Sequence, residues 1–323
     1  MGTPGEVDAL PDQDVAGVPP IAPRRRSWWD LVKLAVLLAM FGFAAVAIVR
    51  NWAAVEAAIR QLSPWAVVAS VPFAVLAMLA ALGVWRSLMA DFGAPLPLRG
   101  AARIFFLSVL GKYVPGSVWS VLAQIELGRE YHVPRRTSLT VGVLAIVMSA
   151  SVGVPLAAVM LPLAAPEAAR RFWWALLPVP LLLALLHPKV LAWALNLVFR
   201  VVRRPPLPHP PSWSGLLKAA GWQTLVWVLL GLHAWLLIIG IGGSPGRSLP
   251  IAIGGYALGY SIGLFAIGMP AGAGVREAAL FLAFSAVIPK PAAAVVVLLS
   301  RAVLTLVDLT LAGAQYALRR PRR

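Results

Sequence analysis

The chain has 323 residues, of which 60% are hydrophobic and 12% are charged, and its mean hydropathy is +0.83. Soluble domains carry about twice that charged fraction, and several apolar runs here reach the roughly 20 residues needed to cross a bilayer as a helix. The composition therefore predicts an all-α polytopic integral membrane protein, and the length left between spans excludes a soluble catalytic domain of about 100 residues or more.

The net charge of +16 comes from 28 Lys and Arg against 12 Asp and Glu. In a soluble protein this charge would suggest nucleic-acid binding, but here the cations fall mostly in loops, as the positive-inside bias requires. We therefore expect no nucleic-acid partner. The sequence has no cysteine, which excludes disulfides, iron–sulfur clusters and thiol catalysis. Its four histidines have no metal-ligand spacing, so no metal or cofactor is expected.

Taken in chain order, the sequence begins with a tail and continues into membrane spans. Residues 1–26 are expected to form a disordered cytoplasmic tail, because 1–23 carry four acids, scattered prolines and no apolar periodicity. Clear spans are predicted at 31–49, 65–90, 137–161, 214–240 and 292–316, with a shorter one at 172–186. Residues 190–202 are interpreted as an interfacial amphipathic helix, and 317–323 as a basic cytoplasmic tail.

Two further apolar regions, 99–130 and 249–288, are broken by glycine and proline near their centres. Each half of the first region has about 12 residues, or roughly 18 Å of helix, against a hydrocarbon core of about 30 Å. This length favours a hairpin that dips to mid-membrane and returns to the side it left. We therefore predict about six crossings plus two re-entrant broken-helix hairpins.

The distribution of Lys and Arg predicts the orientation of the chain. With six crossings and two hairpins, 19 basic residues fall on the side of the two termini and six on the other, so both termini are expected in the cytoplasm. Three cations, Lys112, Arg276 and Arg301, remain within the membrane. The abundance of Ala, Pro, Arg and Trp is typical of a high-GC bacterial genome, so we expect a multi-pass protein of the bacterial cell (inner) membrane.

The two broken segments have a common pattern. LGKYVPGSVWSVLAQIE and IGMPAGAGVREAALFLA both run from Gly to Pro, a small-residue turn and a helix. Pro115 and Pro270 each precede the next predicted span by 22 residues. The halves 27–165 and 166–316 are therefore predicted to be inverted repeats, with one hairpin entering from each side. Interrupted segments at matching positions point to the binding site of a transporter.

A helix break within hydrocarbon opens a helix N-terminus, which with a neighbouring cation forms a cradle for an anion such as a lipid phosphate. The alternative is two tight turns that only pack the fold. Arg301 and Asp308, on one face of the last span, are predicted to join Arg276 and Glu277 in a charge network. Glu277 is either a counter-ion or a proton carrier. The predicted substrate-binding residues are Lys112, Tyr113, Pro115, Gly116, Ser117, Pro270, Gly272, Gly274, Arg276 and Glu277.

Together, LGKYVPGSVW and PAGAGVREAAL resemble the membrane region of the lysylphosphatidylglycerol synthase family, its flippase-like domain, over about residues 30–316. Bifunctional members attach an amino acid to phosphatidylglycerol with a soluble C-terminal domain, and their membrane part translocates the product. Because this sequence ends at ALRRPRR after the last span, we expect a stand-alone member without the aminoacyltransferase domain. The second motif has Ala271 where the family pattern has glycine, which reduces backbone freedom at that turn.

The resemblance implies a lipid translocator and not an enzyme, moving an anionic, aminoacylated or polyprenyl-linked lipid between leaflets. Its partner would be a membrane phospholipid or polyprenyl-linked lipid. One alternative is a membrane-embedded transferase acting on a lipid-linked sugar, with Glu126, Glu277 or Asp308 as acid or base. The other is a non-transporting partner subunit of a separate lipid-modifying enzyme. The sequence makes no prediction of oligomeric state.

Overall fold

A computed structural model describes residues 49, 52–113, 119–164, 177–201, 206–207, 209–264 and 274–318. Within these ranges the chain forms 11 α-helices and one 3-10 turn, and no strand. Four helices are long and apolar enough to span a membrane, or five spans result if one bent helix pair counts as a span. The predicted all-helical membrane fold is confirmed, whereas the count of six crossings stays a prediction. The N-terminal tail, 319–323 of the C-terminal tail, 31–48 of the first predicted span and 172–176 of the short one lie outside the described residues.

The four long helices coincide within three residues with four of the predicted spans. These four are α2, α5, α8 and α11 in the list that follows. The 3-10 turn Leu110–Tyr113 comes directly after α3. The helices are α1 (Trp52–Gln61), α2 (Pro64–Asp91), α3 (Leu98–Val109), α4 (Trp119–Arg129), α5 (Arg135–Ala164), α6 (Pro178–Ala184), α7 (Pro188–Val201), α8 (Trp213–Gly240), α9 (Pro245–Leu264), α10 (Val275–Phe284) and α11 (Lys290–Ala317).

The predicted amphipathic helix near residues 190–202 is present as α7. It buries Leu191, Leu195 and Phe199, which are spaced four residues apart, and exposes Trp193 and Leu197 between them. One helical face therefore packs against the protein. The preceding α6 has only seven residues and meets α7 at an angle of 99°.

Helices α2 and α8 are the central antiparallel pair, and small residues allow their close approach. An added Cβ on Gly83 would lie 2.6 Å from the ring of Trp222, and one on Gly240 would lie 2.3 Å from the Cβ of Ala66. Residues near the start of α2 thus face the end of α8, and residues near the end of α2 face its beginning.

These contacts define two ends of the helix bundle. At the end we name the Asp91 end, the Asp91 carboxylate accepts hydrogen bonds from the backbone N–H, at 2.9 Å, and the hydroxyl of Ser212, the N-cap of α8. At the other, the Gly240 end, the backbone N–H of Ser63 donates to the carbonyl of Gly240 at 2.8 Å. The positions of the two hairpins are described relative to these ends.

Helices α3 and α4 form an antiparallel pair, which we name hairpin 1. Arg103 and Glu130 form an ion pair of 3.0 Å near its open end. Near its tip, an added Cβ on Gly111 would lie 2.6 Å from the backbone nitrogen of Ser120. The helices have 12 and 11 residues, about 18 and 16 Å. Because α3 begins soon after Asp91, hairpin 1 opens at the Asp91 end.

Helices α9 and α10 form a second antiparallel pair, hairpin 2. Gly255 and Gly259 of α9 lie against α10, where an added Cβ would be 3.0 and 3.4 Å from alanine side chains. These two glycines follow the small-residue pattern for close helix approach. An added Cβ on Gly243 would lie 3.1 Å from Ile288, so hairpin 2 opens at the Gly240 end. The two hairpins therefore enter the bundle from opposite ends, while the repeat relation between the two halves of the chain stays a prediction.

The contact between α8 and α9 leaves no room for a larger residue at Gly231, where an added Cβ would lie 2.6 Å from the Cα of Ile253. We expect Gly231→Ala to lower the free energy of unfolding by about 1–3 kcal/mol, because backbone cannot move aside as a side chain can. Gly221→Ala on the same helix is the matched control, since an added Cβ there meets nothing within 4 Å. It should be neutral or stabilise by up to about 1 kcal/mol. Equal thermal unfolding temperatures for the two variants would contradict this packing.

Candidate functional site

Helix α11 connects the two hairpins. It starts beside Ile288 at the Gly240 end and has 28 residues, or about 42 Å of helix. Arg301 and Asp308 lie about 16 and 27 Å along it, so they flank its midpoint. The tips of both hairpins contact these two residues.

The tip of hairpin 1 is bound to Asp308. The Lys112 Nζ lies 2.5 Å from the Asp308 Oδ2, and the Tyr113 hydroxyl donates to the same oxygen at 2.6 Å. The side chain of Asp308 is only 2% exposed. A buried carboxylate is stable only when it is paired and hydrogen-bonded, and here hairpin 1 supplies both partners.

The tip of hairpin 2 is bound to Arg301 through Glu277. One Glu277 oxygen accepts from the Arg301 Nη1 at 2.5 Å, and the other accepts from the backbone N–H of Gly274 at 2.6 Å. Gly274 has a φ of +86°, a conformation that favours glycine. Glu277 therefore caps the first turn of α10, where the helix dipole favours a negative charge. Of the two roles that the sequence leaves open, this geometry is that of the counter-ion.

Arg276 is the third cation at this level and is only 7% exposed. Its guanidinium lies 4.6 Å from the ring centroid of Tyr260 and 5.5 Å from that of Tyr256. In the described part of the chain, its Nε has no hydrogen-bond partner, and no carboxylate forms an ion pair with it. Aromatic faces attract a buried cation but do not neutralise its charge.

The ion pairs of the structure differ from the predicted network of Arg276, Glu277, Arg301 and Asp308. Arg301 pairs with Glu277, and Asp308 pairs with Lys112, which the network did not include. Arg276 was expected to share these carboxylates but does not. Adjacent residues on a helix point about 100° apart, so Arg276 and Glu277 face different neighbours.

A buried polar chain supports the ring of Tyr256. The His233 Nδ1 lies 3.1 Å from the carbonyl oxygen of Ser70; because a carbonyl only accepts, this nitrogen carries the proton. The His233 Nε2 therefore accepts from the Ser300 hydroxyl at 3.0 Å, and Ser300 accepts from the Tyr256 hydroxyl. This chain of hydrogen bonds holds Tyr256 against Arg276.

A small cavity lies between the two tips. Its lining residues are Lys112 and Tyr113 of hairpin 1, Tyr260 and Arg276 of hairpin 2, Arg301, Leu304, Thr305 and Asp308 of α11, Met78 of α2 and Leu230 of α8. Its volume of about 20 Å³ accommodates one water molecule. A phosphate group does not fit, so this conformation is closed around its charges, and a larger ligand requires the tips to separate.

The structure brings together seven of the residues singled out from the sequence and leaves five outside the described ranges. Sequence reasoning missed Tyr256 and Tyr260, whose i, i+4 spacing on α9 was the available signal. The residues brought together are Lys112, Tyr113, Gly274, Arg276, Glu277, Arg301 and Asp308. Those outside the described residues are Pro115, Gly116, Ser117, Pro270 and Gly272.

Residues 31–312 match the family described as the lysylphosphatidylglycerol synthase TM region. The chain belongs to this family. The matched range includes both hairpins and the charged part of α11, so every described site residue lies within it. Family membership indicates a membrane lipid-related function. No curated protein matches the chain.

Proposed function

We propose that this protein translocates a lipid with an anionic headgroup between the two leaflets, binding the headgroup phosphate between the hairpin tips. The supporting observation is Arg276, which is 7% exposed and lacks a described carboxylate partner beside the cavity. A buried charge without a partner is costly. Arg276 lies in the first turn of α10, and free N–H groups at a helix N-terminus bind anions. A bound phosphate would neutralise the Arg276 guanidinium and accept hydrogen bonds from N–H groups at the start of α10.

The arrangement of the hairpins supplies a route for the headgroup. Each hairpin reaches the site from a different end of the bundle, and few polar contacts bind its tip to α11. Breaking the contacts of one tip would open the site toward one end while the other tip stays closed. Alternation between these two states is alternating access around a fixed central site.

The transferase alternative receives less support from the carboxylates. Glu126 is exposed on α4, where it pairs with Arg129 at 3.3 Å, outside the cavity lining. Glu277 and Asp308 are each bound to a cation at 2.5 Å. A general base needs a free oxygen within reach of the substrate proton, and neither carboxylate offers one in this conformation.

Reconstitution tests the proposal. Purified protein is placed in vesicles with fluorescent phosphatidylglycerol, and dithionite is added outside to quench the outer leaflet. We expect quenching to continue beyond the outer-leaflet half with protein, and to stop there in protein-free vesicles. An unchanged lipid mass after incubation separates translocation from group transfer.

The same vesicles distinguish a lipid headgroup from a free phosphate compound. We expect no uptake of radiolabelled inorganic phosphate or glycerol phosphate above protein-free vesicles. Uptake of either compound without movement of the fluorescent lipid would overturn the lipid assignment. Movement of neither the lipid nor these compounds would overturn translocation itself.

A further inference from the structure

We infer that a groove at the Asp91 end binds the headgroup phosphate of an anionic phospholipid, at a site separate from the central cavity. The groove lies between α2, α8 and the start of α3, and its volume is about 490 Å³, within the range of pockets that hold small molecules. Its lining includes no described residue of either hairpin tip. The tips can therefore separate without moving its two main walls, and the inference does not depend on translocation.

Helix α2 contains one Lys or Arg residue and so does α8, and both of these cations line the groove. Arg86 lies five residues before the end of α2, and Lys218 lies five residues after the start of α8, about 7–8 Å along each helix. Because the two helices are antiparallel, the cations lie at the same depth on opposite walls. The Arg86 Nε donates to the carbonyl of Leu96 at 3.1 Å, which holds the guanidinium beside the groove. Basic pockets of this kind between membrane helices bind anionic headgroups.

The carboxylate at this end of the groove does not neutralise the two cations. Within the described residues, neither Arg86 nor Lys218 forms an ion pair. Asp91 lines the same groove, but its oxygens accept hydrogen bonds from the backbone N–H and the hydroxyl of Ser212. It lies against the first turn of α8, where an added Cβ on Gly215 would be 2.3 Å from the Asp91 Cγ. The groove therefore has two free cations against one carboxylate that caps a helix, and an anion would compensate the excess charge.

The other part of the groove is apolar and decides between a lipid and a free phosphate compound. Its α2 wall runs from Leu79 to Ala90, about 16 Å of helix. The charged groups line the Asp91 end, whereas Leu79, Leu82 and Trp222 line the part nearer the middle of the bundle. Leu79 and Trp222 are 44% and 43% exposed, so an acyl chain can lie against them. A phospholipid fills both parts, because its phosphate contacts the cations while its chain covers the apolar wall.

Native mass spectrometry of the full chain in detergent, titrated with phosphatidylglycerol, tests the inference. We expect one phosphatidylglycerol per chain to bind through the groove, and Arg86→Gln/Lys218→Gln to weaken its binding at least tenfold. Phosphatidylcholine should bind the wild-type protein at least tenfold more weakly than phosphatidylglycerol. Equal affinities for the two lipids would overturn the requirement for an anion. Because binding is measured at equilibrium in detergent, no outcome depends on translocation.

Arg135→Gln/Lys189→Gln is the matched control, because it also removes two exposed cations outside the groove lining. Both lie at the Asp91 end. Arg135 begins α5 directly after hairpin 1, and Lys189 is two residues from His187, whose ring centroid lies 5.0 Å from that of Trp213. This variant should bind phosphatidylglycerol as the wild type does. A lipid at the central site is retained by both variants and cancels in the comparison. Equal binding by the two variants would overturn the assignment to the groove.

A neutral variant tests the groove without changing its charge. Ala90 is exposed and lines the groove, so Ala90→Trp fills it, and Ala90→Ser is the control. We expect only Ala90→Trp to weaken phosphatidylglycerol binding at least tenfold, with both variants folded as judged by thermal unfolding without lipid. Unchanged binding in a folded Ala90→Trp would place the lipid elsewhere and overturn the inference.

Glycerol phosphate distinguishes the two sources of a phosphate group, because it carries the phosphate without acyl chains. We expect a tenfold excess of glycerol phosphate to leave phosphatidylglycerol bound to the wild-type protein. Displacement of the lipid at this excess would assign the groove to a free phosphate compound and overturn the lipid assignment.

Discussion

Replacing Arg276 by methionine should remove most lipid translocation while leaving the protein as stable as the wild type or more stable. A hydrogen bond to a charged group contributes about 1.5–3 kcal/mol, so losing one from the bound headgroup should slow translocation roughly 10–100-fold. Stability should not fall in parallel. An unpaired buried ion costs several kcal/mol, and a desolvated contact with a tyrosine face returns about 2 kcal/mol.

The control for this prediction is Arg247→Met. Arg247 is exposed at the start of α9, on the same hairpin as Arg276 but at its open end. Both variants lose one positive charge, and only Arg276→Met should lose translocation in the dithionite assay. Thermal unfolding in detergent supplies the second readout. A strong loss of stability in Arg276→Met would assign the residue a structural role, and unchanged translocation would remove it from the site.

The second large effect concerns Lys112 and Asp308. Lys112→Met leaves Asp308 buried without its cation, and Asp308→Leu leaves Lys112 without its counter-ion and Tyr113 without its acceptor. Each single variant should lower the free energy of unfolding by about 3–5 kcal/mol, because one partner of a buried pair is left uncompensated. The double variant Lys112→Met/Asp308→Leu should recover most of this loss, since apolar replacement of a buried pair is often neutral.

A double-mutant cycle measures this coupling, and the chain offers an exposed pair for comparison. The Arg60 Nη2 and the Glu56 Oε1 lie 2.6 Å apart at i, i+4 on α1, where the two side chains are 78% and 43% exposed. Their cycle should give about 0.3–0.5 kcal/mol, against up to about 3 kcal/mol for residues of one buried network. Additive effects for Lys112 and Asp308 would mean that the tip of hairpin 1 is not bound to α11 as described.

The positions of the four long helices were predictable, because the hydropathy and the length of an apolar run decide whether it can span a membrane. The ends of α2, α5, α8 and α11 follow from where apolar runs meet loops. Hairpin 1 was predictable from helix length. Each half of the broken segment gives a helix of about 18 Å, which is too short to cross about 30 Å of hydrocarbon alone. The bend between α6 and α7 agrees with the prediction of a short apolar segment at 172–186 followed by a separate amphipathic helix at 190–202, and Pro188 is the first residue of α7.

The charged residues that lie together at the site could be singled out from the sequence, but their pairing could not. Ionisable residues in apolar segments are rare enough that Lys112, Arg276 and Asp308 stand out from sequence alone. Their partners depend on how far each hairpin reaches along α11, which tertiary packing decides. Tyr256 and Tyr260 were overlooked because an aromatic residue in an apolar helix has the same appearance whether it fills a core or faces a cation.

The central claim is that two helical hairpins enter from opposite faces and meet at one charged site, and accessibility of engineered cysteines tests it most directly. The chain has no cysteine of its own. Arg99→Cys and Arg135→Cys flank hairpin 1, Arg247→Cys and Lys290→Cys flank hairpin 2, and all four positions are exposed. With an impermeant maleimide on intact cells, we predict labelling at 247 and 290, and labelling at 99 and 135 only after permeabilisation. Labelling of the two flanking positions of either hairpin from opposite faces would mean that this hairpin crosses the membrane, and would contradict the account.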